Sequence, residues 1–352
     1  MSISPSTVSA LLKPEAYPHK PQKIELVQTQ MSFIFLTGEY VYKIKKPVNL
    51  GYLDYTTLEK RRLFCHQELE LNRRLCPDVY LAVVPIVEEK GGLRIEGQGK
   101  AIEYAVKMKQ LPRERMMDVL LLRGQVTQEM VARVAEKLVG FHQKAETNEA
   151  IAAFGRLGVI RHNCDENFAQ TEKYIGTSIT AERYQHIRKC TDNFIDSHAS
   201  LFDKRVREGR IRDCHGDLHA AHVCFIDDTR LPARRKTLAG EPSPGGQVCI
   251  YDCIEFNDRF RYCDVASEIA FLAMDLDHYQ KAGLSRHLVN TYVKLSHDEE
   301  LLKLLNFYKC YRAYVRGKVE SFKLDDPYIP EEEKAKVLTA AQSYFQLAES
   351  YI

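Results

Sequence analysis

The sequence predicts an α+β fold with two lobes, a small strand-rich N-lobe and a larger, mainly helical C-lobe. The chain has 352 residues, 45% of them hydrophobic, which is enough to bury a core in each of two lobes. Short apolar and aromatic runs dominate before Pro112, and helical periodicity dominates after it. We therefore predict a flexible N-terminal arm at residues 1–23, the N-lobe at 24–110 and the C-lobe at 111–352.

The N-lobe is expected to be a sheet with one helix. Its predicted strands are short apolar or aromatic runs bounded by turn residues, at 32–36, 40–48, 80–87 and 101–109. The helix is predicted at 56–75, with Thr56 or Thr57 as its N-cap. Glu68 and Leu71 fall on one face of this helix. A carboxylate on an apolar face requires a partner of opposite charge, so we expect Glu68 to form an ion pair.

The C-lobe is predicted to be helical around one embedded hairpin. Helices are predicted at 113–122, 127–144 and 180–208, and again from residue 265 to the end. The apolar segments VCFI and VCIYDCI favour the hairpin. The polar stretch between them, at 227–247, contains the basic run RLPARRK and is interpreted as a solvated loop. His142, on the apolar stripe of the second helix, is interpreted as a hydrogen-bonded core histidine.

Charge and cysteine pattern exclude several classes of protein. Lys and Arg total 50 and Asp and Glu total 48, so the net charge is +2, unlike the strongly basic balance of a nucleic-acid binder. No apolar run approaches the ~18 residues of a membrane span, and a signal-peptide pattern is missing. The ten cysteines form no CxxC pair. We expect a cytoplasmic protein with reduced cysteines that act as small hydrophobes, without a nucleic-acid or membrane partner.

Two acidic motifs carry the chemistry. The first is HGDLHAAH at 215–222, which places Asp217 in a Gly-containing loop. The second is IYDCIEF at 250–256, which places Asp252 after a predicted strand. Because the predicted hairpin joins the two motifs, it can bring their carboxylates close together. Two carboxylates in such an arrangement suit a divalent cation and a general base.

These motifs resemble the catalytic signature of aminoglycoside phosphotransferase-like small-molecule kinases, which are relatives of the protein kinases. The pattern HGDLHxxH…YDCIEF, the YVYK strand, the helix with Glu68 and the RYCDVASEIAF segment follow the chain order of that family. More closely, VYKIKKPV, LNRRL, HGDLH and DCIEFND resemble a group of uncharacterised bacterial members. The resemblance covers about residues 24–320. It implies a two-lobed protein kinase-like fold and ATP-dependent phosphoryl transfer to a hydroxyl of a small molecule.

The resemblance also assigns roles to single residues. Asp217 would accept or orient the proton of the acceptor hydroxyl, and Asp252 would hold Mg²⁺ against the phosphates of ATP. Lys43 would contact the α- and β-phosphates, with Glu68 as its ion-pair partner. Lys43 is preferred to Lys45 because the apolar residue two positions earlier, on the same strand face, suits contact with adenine.

Four further residues would support this site. Met108 and Gln110 would lie at the hinge, where backbone groups bind the nucleotide. Asp264 would brace the catalytic loop by accepting hydrogen bonds from its backbone N–H groups. The ring of His215 would bond the backbone of the same loop. These residues are expected to position the site rather than to take part in the chemistry.

His222 departs from the family motif, which has a metal-binding Asn at this position. A neutral imidazole can bind a divalent cation, but it suits Mg²⁺ less well than an amide oxygen does. Mn²⁺ tolerance, a single-metal mechanism and weakened catalysis are all open. Glu255, three residues after Asp252, could supply a compensating oxygen ligand. The N-lobe sequence also lacks a Gly-rich GxGxxG loop.

Two other functions stay open. His222 and the missing Gly-rich loop suggest a nucleotide-binding pseudokinase, catalytically weak or inactive, that acts as a sensor or interaction module. A metal hydrolase would use His215, His219 and His222, whose H-x3-H-x2-H spacing is compatible with a zinc site. Gly216 argues against one helix that presents all three. The acceptor is also open, because in this fold it depends on side chains that line the cleft.

Overall fold

The structure is a computed structural model and describes residues 5–89, 91–226, 247–326 and 329–352. In chain order, its strands are β1 (Glu25–Gln28), β2 (Ser32–Leu36), β3 (Tyr40–Lys45), β4 (Tyr80–Glu89), β5 (Gly92–Ile95), β6 (Ala101–Lys109), β7 (Ile211–Asp213), β8 (Val223–Ile226), β9 (Gln247–Ile250) and β10 (Tyr262–Asp264). Its α-helices are α1 (Pro5–Leu11), α2 (Leu58–Arg73), α3 (Met117–Leu122), α4 (Gln128–Lys144), α5 (Glu149–Ala152), α6 (Leu157–Thr171), α7 (Ala181–Ser197), α8 (Ala199–Arg207), α9 (Asp258–Arg261), α10 (Val265–His278), α11 (Ala282–Ser296), α12 (Leu301–Phe322) and α13 (Glu331–Glu349). The predicted solvated loop lies outside the described residues, except for Gln247.

The chain forms two compact units, one of residues 1–116 and 222–258 and the other of residues 117–221 and 259–352. The first unit carries the main sheet and the second is mainly helical, which confirms the predicted α+β class. The division differs from the predicted lobes because the β8–β9 hairpin groups with the N-terminal residues. The roles predicted for the two lobes stay predictions.

The first unit is built on a six-stranded antiparallel sheet with the order β1-β2-β3-β6-β4-β5. The predicted strands form, and Gly38 makes the turn between β2 and β3 with a φ of 88°. α2 begins after Thr57, one of the two residues predicted as its cap, and the Thr57 side chain accepts a hydrogen bond from the backbone N–H of Lys60. β5 was not predicted, because a run this short has too weak a hydrophobic pattern to indicate a strand.

Residues 11–17 pack against the sheet, so the prediction of a flexible arm is wrong for this part of the segment. Leu11 and Tyr17 are buried in one core cluster with Phe35 and Tyr42. The Tyr17 hydroxyl donates to the Leu11 carbonyl at 2.7 Å, and the Tyr17 ring centroid lies 5.2 Å from that of Tyr42. Proline fixes φ but does not prevent packing, so the apolar residues between the prolines still reach the core.

A disulfide joins Cys76, just after α2, to Cys249 of β9, with their Cα atoms 4.9 Å apart. The expectation that every cysteine is reduced is therefore wrong for this pair. The two residues are 173 positions apart in the sequence, so their spacing could not indicate the pairing. The other cysteines among the described residues are free, and most are buried as small hydrophobes are. The disulfide attaches the β8–β9 hairpin to the end of α2.

The second unit packs its helices around α10, which is buried along almost its whole length. α11 and α12 both contact α10, and α13 contacts α12. β7 and β10 form an antiparallel pair, and they directly precede the HGD motif and α10, respectively. This pairing therefore brings the start of α10 beside the HGD motif. None of the described helices is long and apolar enough to cross a membrane.

The helix predicted at 180–208 is two helices, so this prediction is wrong. α7 and α8 are separated by His198, whose φ of −116° and ψ of 18° leave the helical region. The His198 ring stacks on the Phe194 ring at 4.0 Å, and its Nδ1 lies 3.1 Å from the Phe194 carbonyl oxygen. The break involves neither Gly nor Pro, so the sequence pattern does not reveal it.

The buried position of Tyr17 gives a test of the packed N-terminal segment. We expect Tyr17→Ala to lower the free energy of unfolding by about 3 kcal/mol, because it removes a buried aromatic ring and leaves a cavity. Leu12→Ala, at an exposed residue of the same segment, should change it by less than about 0.5 kcal/mol. Urea denaturation measures both changes. Equally small effects at the two positions would show that the segment does not pack on the sheet.

Candidate active site

Two lysines of β3 share one buried carboxylate of α2. Lys43 and Lys45 lie two residues apart and therefore project to the same face of the strand. The Lys43 Nζ lies 2.9 Å from one oxygen of Glu68, and the Lys45 Nζ lies 2.7 Å from the other. Glu68 is fully buried. Glu68 therefore forms the expected ion pair, and it does so with two lysines rather than one.

Asp252 follows β9 and approaches the same lysine. Its carboxylate lies 2.5 Å from the Lys43 Nζ and 3.5 Å from the Nε2 of His222. The Asp252 backbone N–H donates to the Tyr80 hydroxyl at 3.2 Å, and the next N–H donates to the Asn72 side chain at 2.9 Å. Asp252 has a φ of 62°, an unusual value for a residue other than glycine. These bonds hold the strained residue, so its carboxylate has a fixed place.

The Glu255 side chain is buried and contacts Lys45 rather than Lys43. It accepts hydrogen bonds from the Lys45 ammonium and from the Tyr55 hydroxyl, the latter at 2.6 Å. Lys45 is almost completely buried, whereas part of the Lys43 side chain is exposed, so Lys43 is the more accessible of the two lysines. The predicted role of Glu255 as a metal ligand stays a prediction. The contacts give Glu255 a structural role, in which it fixes the residues after Asp252 to β3.

Mutual attraction keeps the buried groups of this cluster charged. Burial lowers the pKa of Lys43, but the carboxylates of Asp252, Glu68 and Glu255 outweigh it and raise that pKa well above its usual range. Burial raises the pKa of Glu68, but the two lysines outweigh it and lower that pKa. Three carboxylates face two ammonium groups, so the cluster carries one excess negative charge. That excess favours a bound cation.

The residues predicted to form the hinge lie at the end of β6. Met108 is paired within the sheet with Val41 on one side and Tyr80 on the other. The Gln110 backbone N–H donates to the Glu39 carbonyl at 3.0 Å, and the Gln110 side chain accepts from the backbone N–H at Gly38. Gln110 therefore fixes the β2–β3 turn. Nucleotide contacts of Met108 and Gln110 stay predictions.

The HGD motif of the second unit is held by the Glu268 carboxylate, which was not among the residues predicted from the sequence. Glu268 of α10 accepts hydrogen bonds from the backbone N–H groups of His215 and Gly216, at 2.9 and 2.7 Å. The Nδ1 of His215 lies 3.3 Å from the backbone nitrogen of Asp217, as expected for a structural histidine. Because this nitrogen faces the loop backbone, it is poorly placed to bind the metal of a hydrolase. Glu268 could have been found as the acidic residue in the apolar run VASEIAF.

Asp264, which was expected to brace this loop, has other partners, so that prediction is wrong. Its carboxylate pairs with Arg205 through two hydrogen bonds of 2.9 and 2.6 Å. It also caps α10 by accepting from the backbone N–H of Ala266 at 2.8 Å. The reason is position, since Asp264 directly precedes α10 whereas Glu268 lies one turn into the helix and reaches the loop.

Glu268 belongs to a buried network with His142. The His142 Nε2 lies 2.9 Å from the Glu268 carboxylate, and the Nδ1 lies 2.8 Å from the Tyr292 hydroxyl. The interpretation of His142 as a hydrogen-bonded core residue is confirmed. Burial raises the pKa of Glu268, but the hydrogen bond and charge of His142 and the contacts with His215 outweigh it and lower that pKa to about 2.

Asp217 is presented to solvent by the braced loop. One third of its side chain is exposed, and its carboxylate lies 3.6 Å from the Nε2 of His219. The carbonyl of the preceding Gly216 accepts from Arg312 of α12 at 3.2 Å. The loop is thus held from both its N–H and its carbonyl sides. Asp217 therefore has a fixed backbone and an accessible carboxylate, which suit a general base.

Glu268→Gln tests the brace. The folded pKa of Glu268 lies below its unfolded value, so its ionised form stabilises the fold above pH 4.5, and this contribution is lost as the pH falls towards about 2. We expect the variant to be about 3 kcal/mol less stable at pH 7. The difference from wild type should narrow between pH 5 and pH 3 in urea unfolding curves.

Glu299→Gln, at an exposed residue, is the matched control and should show no such narrowing. A Glu268→Gln variant as stable as wild type at pH 7 would contradict the role of this carboxylate.

Mycobacterial proteins are similar in sequence to this chain. No family model matches the chain. Uncharacterised proteins of Mycobacterium tuberculosis and Mycobacterium bovis are each 30% identical to it over 297 residues. The matched region covers 84% of this chain and 54% of each relative, so the chain spans about half the length of the curated relatives it matches.

Solved structures share the fold. A choline/ethanolamine kinase family protein from Mesorhizobium loti matches with a TM-score of 0.51 at 12% identity. The match covers 98% of this chain and 98% of that one. A microcompartment-associated aminopropanol kinase has a TM-score of 0.50 at 13% identity, and the match covers 98% of this chain and 97% of that one. Identities this low show the fold alone. The chain therefore has the protein kinase-like fold of small-molecule kinases, which confirms at the level of the fold the resemblance seen in its motifs.

Proposed function

We propose that the protein is an ATP-dependent phosphotransferase that moves the γ-phosphoryl group of ATP to a hydroxyl of a small molecule. The observation that carries this proposal is Lys43, held between the buried Glu68 of α2 and the Asp252 carboxylate after β9. Phosphoryl transfer depends on positioned positive charge more than on covalent chemistry by the protein. A lysine fixed by two carboxylates from different elements meets that need. Structural neighbours that are kinases support the same class of reaction.

Asp252 and His222 are the residues that would hold a divalent cation. The Asp252 side chain is 40% exposed and the Nε2 of His222 lies 3.5 Å from its carboxylate, so the two residues would offer an oxygen and a nitrogen ligand. The excess negative charge of the cluster fits a cation, and the imidazole fits Mn²⁺ at least as well as Mg²⁺. When bound, the cation would neutralise charge on the phosphates of ATP. Lys43 would then exchange part of its contact with Asp252 for phosphate oxygens.

Asp217 would act on the acceptor. Its accessible carboxylate would accept or orient the proton of the attacking hydroxyl, and the brace by Glu268 would keep it in place. The acceptor in this proposal is a small molecule. A cytoplasmic location, and the lack of a nucleic-acid or membrane partner, stay part of the same proposal.

A nucleotide-binding pseudokinase is the second candidate, and His222 favours it. Its imidazole lies 3.5 Å from Asp252, where the resembled family has an amide ligand. Lys43 also has two carboxylate partners within the protein itself, so the cluster is stable without a ligand. Such a protein would bind nucleotide and transfer no phosphate.

Asp217→Asn tests the proposal. We expect the variant to lose at least about a hundredfold in kcat, because it lacks a general base, while its affinity for ATP stays unchanged. Release of ADP, measured with Mg²⁺ or Mn²⁺ against sugars, amino alcohols and hydroxy acids, gives the rate. Asp203→Asn, at an exposed residue of α8, is the control and should keep full activity.

Full turnover in Asp217→Asn would remove this residue from the base role. Metal-independent ATP binding with no turnover of any acceptor would favour the pseudokinase.

A further inference from the structure

Cys214 directly precedes the HGD motif and has a second cysteine beside it on the neighbouring strand. β7 and β10 pair so that Asp213 lies opposite Tyr262. By the same register Cys214 lies opposite Arg261, and its backbone N–H donates to the Arg261 carbonyl at 3.1 Å. Cys263 is two residues further along the chain than Arg261 and therefore projects to the same face. Cys214 and Cys263 are thus diagonal neighbours across this strand pair.

The side chains of the two cysteines also interact. The Cys214 thiol donates to the Cys263 carbonyl, with 3.5 Å between the sulfur and the oxygen. Burial, and then a side-chain hydrogen bond with Cys263, raise the pKa of Cys214 well above its usual range. Cys214 is buried, whereas Cys263 is partly exposed. A small reagent can therefore reach one thiol of the pair, and the other thiol lies next to it in the protein interior.

Arg312 of α12 connects Cys263 to the HGD motif. Its Nη2 lies 3.9 Å from the Cys263 sulfur, and its Nη1 donates to the Gly216 carbonyl at 3.2 Å. Its Nε donates to the Ser267 hydroxyl at 3.1 Å, which fixes the guanidinium in place. Reactive cysteines are typically partly exposed and close to a cation. Cys263 has both features.

Other free cysteines among the described residues lack this combination. Cys190 of α7 is also partly exposed, but no described residue gives it an arginine contact or a hydrogen-bonded cysteine. Cys253 receives a hydrogen bond from Arg74 at 3.4 Å, but it is buried. An accessible thiol, an arginine and a second thiol therefore coincide at Cys263.

We propose that hydrogen peroxide oxidises Cys263 and Cys214 to a disulfide, and that this disulfide releases the HGD motif from its brace. In the first step the Cys263 sulfur attacks one peroxide oxygen and the O–O bond breaks. Cys263 becomes a sulfenic acid, and the second oxygen leaves as water with the thiol proton. In the second step the Cys214 sulfur attacks the Cys263 sulfur and the S–O bond breaks. The sulfenic oxygen leaves as water with the Cys214 proton.

Formation of the disulfide moves the residues around it. Diagonal neighbours must approach each other to form a sulfur–sulfur bond of about 2 Å. This approach draws the Cys263 sulfur away from Arg312, which also bonds the Gly216 carbonyl. It also displaces Cys214, the residue directly before the HGD motif. Both ends of the strand pair therefore transmit the change to the motif.

The displaced motif loses its fixed position on the Glu268 carboxylate. That carboxylate accepts from the backbone N–H groups of His215 and Gly216, and these bonds require the present path of the chain. Asp217 follows directly, so oxidation also removes the fixed place of its carboxylate. Oxidation therefore lowers phosphoryl transfer, and this effect on turnover rests on the proposed phosphotransferase function.

Peptide mapping of the full chain tests the thiol pair. The protein is treated with hydrogen peroxide, remaining thiols are alkylated, and the tryptic digest is analysed by mass spectrometry. We expect a linked pair of peptides that dithiothreitol separates, with fragment ions that assign the link to Cys214 and Cys263 and not to Cys224, which shares a tryptic peptide with Cys214. In Cys214→Ala, the Cys263 sulfenic acid should persist and react with dimedone. Cys190→Ser removes a partly exposed thiol elsewhere, so it is the matched control and should keep the link.

Amide hydrogen exchange tests the effect on the HGD motif. We expect the peptide with His215 and Gly216 to exchange at least about tenfold faster in the oxidised protein than in the reduced protein, because its bonds to Glu268 are lost. Acceptor turnover should fall at least about tenfold on oxidation and return with dithiothreitol. In Cys263→Ser, peroxide should change neither the exchange rate nor the turnover.

The outcomes separate this inference from the proposed function. Peroxide treatment that leaves Cys214 and Cys263 unlinked would overturn the inference, and so would a linked pair with unchanged exchange at His215 and Gly216. A linked pair with faster exchange, in a protein that turns over no acceptor even when reduced, would support the inference and contradict the phosphotransferase. Turnover that stays the same in the linked protein would contradict the regulation and leave the phosphotransferase intact.

Discussion

Burial of the Glu68 carboxylate is the constraint on which the first unit depends. A carboxylate removed from water costs several kcal/mol unless opposite charge and hydrogen bonds compensate it. Lys43 and Lys45 compensate it together, so α2 and β3 have one stable register against each other. Each lysine also holds a second carboxylate, Asp252 or Glu255, and through these the segment after β9 is fixed. A structural ion pair therefore places the residues that phosphate and metal binding would require. The Cys76–Cys249 disulfide also fixes the β8–β9 hairpin to the end of α2.

In the second unit, a buried carboxylate likewise fixes a motif of the candidate site, here through backbone N–H groups. Its HGD motif contains a tight turn at Gly216, with a φ of 88°, whose N–H groups would be unpaired without Glu268. A deeply buried, ionised carboxylate supplies the acceptors, and His142 stabilises its charge. Arg312 bonds the carbonyl side of the turn. Together these bonds hold the backbone that carries Asp217.

Sequence patterns could predict those features that depend on local periodicity or on motif order. The N-cap at Thr57, the hairpin and the unusual charge at Glu68 each leave a local signal. Features that depend on long-range contacts between distant parts of the chain leave no such local signal. Asp264 and Glu268 are both acidic residues near the start of α10, and only the path of the HGD loop decides which one braces it. The packing of Tyr17 and the pairing of Cys76 with Cys249 depend on the three-dimensional path in the same way.

The role of the Lys43 cluster in nucleotide binding is tested most directly by calorimetric titration of ATP, with and without Mg²⁺ or Mn²⁺, into the wild-type protein and Lys43→Met. Lys23→Met, at an exposed residue, is the control, and circular dichroism confirms that each variant is folded. We expect ATP binding to require a divalent cation, to weaken at least about tenfold in Lys43→Met and to be unchanged in Lys23→Met. Binding of equal strength to a folded Lys43→Met variant would contradict the assignment of this cluster as the nucleotide site.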